Sequence, residues 1–296
     1  MFHLKRRTAL GAGATAVLVG AAVLAAAPAG ATTTSGSPSA GAATVTATTV
    51  QQLQGYTTVT SPSMTSGSMT LTRGIVQCPT GTVPLGGGAV VISSELFVAI
   101  NSSLPFENGW AVDLNNGSAT TASFQVTATC AVQPAHYKIV QKHVANPAAT
   151  QTSVSATCPI GTKPLGGGAL SNSGLFVSMA SSAPNGTRAW RISESNATGE
   201  GAQVTAFAVC GSIKGYFVAH GPVVSIPGQS FKVAAAHCPV GQVPLSGGVV
   251  FQTTSVAADV SLSSFGVSHN WVSYADNIGA TPFKASSTVV CAAALE

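Results

Sequence analysis

The stretch CPTGTVPLGGG at residues 78–88 returns as CPIGTKPLGGG at 158–168 and as CPVGQVPLSGG at 238–248, so one phrase recurs at intervals of eighty residues. Working outward, a second cysteine follows each time (Cys130, Cys210, Cys291), and a tyrosine (Tyr56, Tyr137, Tyr216) precedes each first cysteine by 22, 21 and 22 positions. Each interval also holds a tryptophan (Trp110, Trp190, Trp271), an asparagine six places later (Asn116, Asn196, Asn277), and a Ser-Ser corner read as SSLP, SSAP and SSFG. Self-similarity of this length marks triplication of one structural unit. The units are 54–134, 135–213 and 214–296.

Within a unit the apolar residues alternate. Phe124, Val126, Ala128 and Cys130 interleave with Gln125, Thr127 and Thr129, and Val204, Ala206, Ala208 and Cys210 keep the same phase. Trp110, Val112 and Leu114 share a face, as do Trp190 and Ile192. A period of two predicts half-buried strands, and no long segment carries a helical period. The fold class is therefore all-β: three antiparallel units of four to five short strands, packed around a pseudo-threefold axis in a β-prism-like way. Three small β-sandwich-like units in tandem are the alternative. A unit of about eighty residues buries only a modest core alone, and no linker longer than a few residues separates Cys130 from Tyr137 or Cys210 from Tyr216.

The glycines at 86–88 and 166–168 invite a phosphate-cradle reading, but such loops open a helix and carry a lysine or an acidic ribose partner, neither of which follows here. A bulge or close strand approach, where no Cβ fits, is the better account. Ser246 in place of the first glycine marks that outer position as less constrained.

Residues 1–31 have a basic start (Lys5, Arg6, Arg7), an apolar Ala-rich run and a small-residue exit at Ala29-Gly30-Ala31, the pattern of a secretory signal peptide. Arg6 and Arg7 leave both the general and the twin-arginine route open. Residues 32–53, rich in Thr, Ser, Ala and Gly, read as a flexible leader. With the signal removed, the formal net charge of +4 falls to +1, and charged residues are only 7% of the chain. No basic face for nucleic acid is expected. With the chain running out five residues after Cys291, no stable membrane anchor is expected after cleavage.

Six cysteines in an exported chain read as three disulfides. Without a CxxC or a closely spaced Cys and His pair at zinc-ligand spacing, no metal site and no cofactor are expected. Three connectivities respect the repeat, one within units and two between neighbours. Only the first was open to an ancestral single unit, so Cys78–Cys130, Cys158–Cys210 and Cys238–Cys291 are expected.

These motifs resemble secreted proteins of high-GC Gram-positive bacteria built from CPxGxxxLGGG…W…N…C units, most without an assigned activity, and the likeness covers nearly all of 54–296. The Cys-Pro-x-Gly opening is more distantly similar to vitelline membrane outer layer protein, which implies a threefold β-prism.

Chemistry-bearing residues are scarce. His136, His143, His220, His237 and His269 share no repeated position, and no G-x-S-x-G elbow is present. Glu95, Glu107, Asp113, Glu194 and Asp276 are the carboxylates for a hydrolase site hidden in one diverged unit. The binding candidates are the tryptophan strands: Trp110, Asp113 and Asn116; Trp190, Arg191 and Asn196; Trp271, Asp276 and Asn277. Amides and carboxylates beside an aromatic suit sugar hydroxyls, whereas in a purely structural role each tryptophan fills a core and each asparagine closes a turn. The expectation is a secreted, non-catalytic protein with an extracellular binding or structural role, its partner a glycan or cell-wall polymer. The alternative is a secreted hydrolase.

Overall fold

In a computed structural model, which describes residues 53–293, every unit lays down the same strands. The first contains β1 (Thr57–Thr60), β2 (Met64–Ser66), β3 (Thr70–Gln77), β4 (Val83–Ile92), β5 (Val98–Phe106), β6 (Gly109–Asn116) and β7 (Ala122–Ala131). The second contains β8 (Ala135–Asn146), β9 (Thr150–Thr157), β10 (Lys163–Ser171), β11 (Val177–Asn185), β12 (Ala189–Asn196) and β13 (Ala202–Ser212). The third contains β14 (Phe217–His220), β15 (Val224–Ile226), β16 (Ser230–His237), β17 (Gln242–Phe251), β18 (Ala258–Phe265), β19 (Asn270–Asn277) and β20 (Phe283–Ala293). The chain is all-β, with more strands per unit than the alternation predicts, because the opening segments pair as well, resting on the core through scattered residues such as Val59, Val140 and Val218. Pro62 and Pro222 split the opening strand of units one and three, since proline brings no N–H to a ladder. Unit two has His143 at that register and a single strand of 12 residues.

Each unit is two-layered. In unit one β1 and β2 pair with β7, which pairs with β4, while β3 pairs with β6 and β6 with β5. The layers then continue across units: Ala169 of β10 pairs with Ser103 of β5, and Ala89 of β4 with Ser263 of β18. At the third junction the Phe251 N–H of β17 donates to Ser181 Oγ of β11 at 3.1 Å. Unit one thus meets unit three, unit two meets unit one, and unit three meets unit two, which closes a ring. Leu85, Leu165 and Leu245, one from each unit, belong to a common buried core.

The three glycines have three different neighbours. A Cβ on Gly87, Gly167 or Gly247 would lie 2.3–2.4 Å from the unit's own tryptophan. One on Gly88, Gly168 or Gly248 would lie 1.8–2.0 Å from the carbonyl oxygen of Ser263, Ser103 or Ser182 in another unit. The first positions face each other at the centre of the ring, where a Cβ on Gly86 would sit 2.4 Å from Ser246 Cβ and one on Gly166 2.9 Å from it. This corrects the reading of Ser246 as less constrained: it is fully buried, and the centre takes its side chain because the other two units have none there.

The tyrosines clamp the ring. Tyr56 Oη donates to the Pro244 carbonyl at 2.6 Å and Tyr137 Oη to that of Pro84 at 2.8 Å, each across a unit boundary. Tyr216 Oη is buried without a partner. All three expected disulfides are formed within units, with Cα–Cα distances of 5.8, 5.6 and 5.7 Å, and they are compatible with an oxidising environment.

Three details differ from the sequence reading. Thr127 and Thr129 are buried although they lie opposite the apolar stripe, because Thr127 bonds Ser264 and Thr129 bonds the Leu245 carbonyl of another unit. The serine pairs lie within strands, and the third is out of step: Ser263 matches Ser103 and Ser182 against the tryptophans, leaving Leu262 where Ser102 and Ser181 stand. Leu53, assigned to the leader, is buried in the core. The segment read as a signal peptide and the rest of the expected leader lie outside the described residues.

Candidate functional site

The side chains repeated in every unit point inward. Trp110, Trp190 and Trp271 are fully buried, and each Nε1–H donates at 2.9 Å to a serine hydroxyl of the neighbouring strand: Ser103, Ser182 and Ser263. Asn116, Asn196 and Asn277 are buried too. Asn196 Nδ2 donates to the carbonyls of Asn146, Pro147 and Glu200 at 3.1, 3.2 and 2.8 Å, while its Oδ1 accepts from the Thr198 N–H and hydroxyl. Asn116 makes the same set with Ser66, Gly67, Thr120 and Ser118. Asn277 keeps bonds to Ile226, Thr281 and Gly279. The expectation of sugar contacts at these six residues is therefore corrected: all six are buried, and each amide ties a strand end to two turns.

The charged companions separate. Asp113 accepts two bonds from Arg73, from Nε and Nη2, both at 2.7 Å. Glu194 occupies the register of the buried Leu114, where Asn146 Nδ2 donates to its Oε1 at 2.9 Å and burial pushes its carboxyl up to about 7. Glu95 and Glu107 are exposed, as are all five histidines of the repeats. The carboxylates picked for a hydrolase thus have different partners and do not converge.

Arg191 alone of the nine faces solvent beside a depression. Its Nη2 donates to Ser153 Oγ at 3.0 Å, and Ser153 shares a 2.8 Å bond with Ser193. Two adjoining depressions, of about 250 and 390 Å³, both include Ser153, Asn185 and Arg191 in their walls. The smaller one, at the junction of β11 and β17, adds Gln151, Thr253 and Thr254 to an apolar patch of Ala183, Pro184 and Phe251. At the register of Ser153 and Ser193, unit one has Arg73 and Asp113 and unit three has Val233 and Tyr274. The groove is therefore specific to one face. Sequence reasoning missed Ser153 and Asn185 because hydroxyl and amide residues are abundant in this chain and nothing local sets these two apart.

Asp276 is buried in a second place, opposite Asp259 across the β18–β19 pair. Desolvation raises both carboxyls above their usual range, Asp276 to about 7, and the neighbouring Asp276 raises Asp259 further. Asp259 lines a cavity of about 160 Å³ whose walls come from all three units.

No protein-family model matches the chain, and no curated protein matches it.

Proposed function

We propose that this is a secreted, disulfide-stapled, non-catalytic binding protein that takes a glycan or cell-wall polymer in the Arg191 groove. The observation carrying the reading is the lining of that groove. Hydroxyls, amides and a guanidinium stand beside an apolar patch, which suits a sugar ring with polar edges and C–H faces. The two adjoining depressions favour an extended chain over a single small molecule. The repeated residues build the scaffold, and binding falls to residues that differ between units.

The carboxylate pair in unit three is the feature that favours the hydrolase alternative. A glycosidase needs its two carboxyls on either side of a bound sugar, whereas Asp259 and Asp276 are buried directly opposite each other across the β18–β19 pair. The pair therefore suits binding better than hydrolysis.

Retention of the full protein on an array of extracellular polysaccharides tests the proposal, with amide shift mapping of any retained glycan. Shifts clustered at Gln151, Ser153, Asn185 and Arg191 are expected. Retention with shifts elsewhere, or no retention on any polysaccharide, overturns it.

A further inference from the structure

The cations of this sparsely charged chain gather in the unit that carries the groove. Charged residues are only 7% of the sequence, yet residues 135–213 hold Lys138, Lys142, Lys163, Arg188 and Arg191 against Glu194 and Glu200, whereas residues 54–134 hold Arg73 against Glu95, Glu107 and Asp113. Two of these cations, on different strands, meet in one place: the depression of about 390 Å³ is walled by Lys142 of β8 and Arg191 of β12, with Val144, Ser153, Ser155 and Asn185. Lys142 alternates with Val140 and Val144, which pack on the core, so it leaves β8 on the same side as they do. Both cations are peculiar to this unit. The positions equivalent to Lys142 are Ser61 and Gly221, whose N–H groups bond the Val126 and Ser287 carbonyls and which precede the prolines that break their strands. Those equivalent to Arg191 are Ala111 and Val272. Neither cation forms an ion pair among the described residues, and no carboxylate lines either depression of the groove. Glu194 is buried, and Glu200 lies in the turn beyond the far end of β12.

We propose, resting on the glycan reading of this groove, that its ligand is an anion: a carbohydrate chain with a carboxylate or phosphodiester in each repeat, whose charge Lys142 and Arg191 recognise. Like charges gathered in one hollow repel each other, and a bound anion relieves both. The Arg191 guanidinium donates through Nη2 to Ser153 Oγ at 3.0 Å, which steadies it and leaves its remaining N–H groups for the oxygens of one acidic group. The Lys142 ammonium, a point charge on a flexible stem, meets the next. The hydroxyls of Ser153 and Ser155 and the amide of Asn185 are left for the uncharged hydroxyls of the same chain. A neutral glycan would use the amides and hydroxyls and leave both cations unanswered.

The full protein is titrated by calorimetry with polygalacturonate, with the same polymer fully methyl-esterified, with poly(glycerol phosphate) and with poly-L-aspartate. One of the two acidic carbohydrate chains should bind at least about tenfold more tightly than the ester, as charged hydrogen bonds imply, and added salt should weaken it. Preference for polygalacturonate identifies a carboxylate ligand, and preference for poly(glycerol phosphate) a phosphodiester. Lys142→Gln should lower that affinity about tenfold and leave the melt unchanged, since the side chain is exposed. Lys138→Gln, on the same strand but in the wall of neither depression, should bind as the wild type does. An ester that binds as tightly as both acidic chains, or equal losses in Lys138→Gln and Lys142→Gln, overturns the anion preference and leaves the glycan reading standing. Binding of poly-L-aspartate and of none of the other three shows charge recognition without carbohydrate and overturns the glycan reading. No binding by any of the four overturns both.

Discussion

Replacing Glu194 by Gln should remove a pH dependence of stability that the wild type carries. The Glu194 carboxyl is buried in the second unit, where desolvation lifts it from 4.5 to about 7 against the opposing bond from Asn146. The native state therefore holds a proton that the unfolded state has released. A carboxyl raised on folding contributes stability that is complete below its unfolded value and lost as pH rises through its folded value. At about 1.4 kcal/mol per unit, a shift from 4.5 to about 7 is worth about 3 kcal/mol between acid and mildly alkaline solution. Glutamine keeps the acceptor for Asn146 and has no proton to lose. Urea unfolding of both proteins at pH 4 and pH 8 isolates the effect, because Asp259 and Asp276 shift both proteins alike and cancel in the difference. The variant should gain about 3 kcal/mol on the wild type between the two pH values, several degrees in melting temperature for a chain of this size. Parallel stability curves would show that Glu194 is solvated in the native state and would refute the reasoning.

Gly86→Ser should be strongly destabilising because its Cβ would meet Ser246 Cβ at 2.4 Å, while Gly86→Ser combined with Ser246→Gly should recover at least half of the loss in chemical denaturation. Gly167→Ala should cost about 3 kcal/mol or more through overpacking, since the added carbon lies 2.3 Å from Trp190; Gly174→Ala, with nothing within 4 Å, should be neutral by the same melt. Residues 135–213 expressed alone should lack a cooperative melt at the intact protein's temperature, because β10 and β11 lose their partners in the other units and Tyr137 loses the Pro84 carbonyl.

The architecture was legible where the sequence repeats. Alternation in the Cys130 and Cys210 strands identified the apolar face, and the cysteine spacing left three connectivities, of which the one open to a single ancestral unit is formed; both are local consequences of one unit. What the units do to each other was not legible. The central position of Ser246, the hydroxyl of Tyr56 on Pro244 and the burial of Thr129 depend on which unit closes on which, and no single unit carries that information. The Asp259–Asp276 pair was hidden for another reason. Counted back from Phe265 opposite Trp271, an unbroken ladder would set Asp259 against Asn277, but the irregularity between Val260 and Leu262 moves it opposite Asp276. Asparagine and tryptophan read as a sugar site because the same side chains serve turns and cores, and only burial separates the two uses.

The central claim is that the residues common to the units hold the scaffold while residues peculiar to one face bind ligand. Arg191→Ala and Asn196→Ala, measured in parallel for thermal melt and for retention on polysaccharide, test it most directly. Arg191 is exposed, so its loss should leave the melt unchanged and abolish retention. Asn196 serves three carbonyls and one turn from the interior, so its loss should cost about 3 kcal/mol, lower the melt by about 10 °C, and leave retention intact below the transition. An Asn196→Ala protein that melts like the wild type and no longer binds, or an Arg191→Ala protein that binds as well as the wild type, would contradict the account.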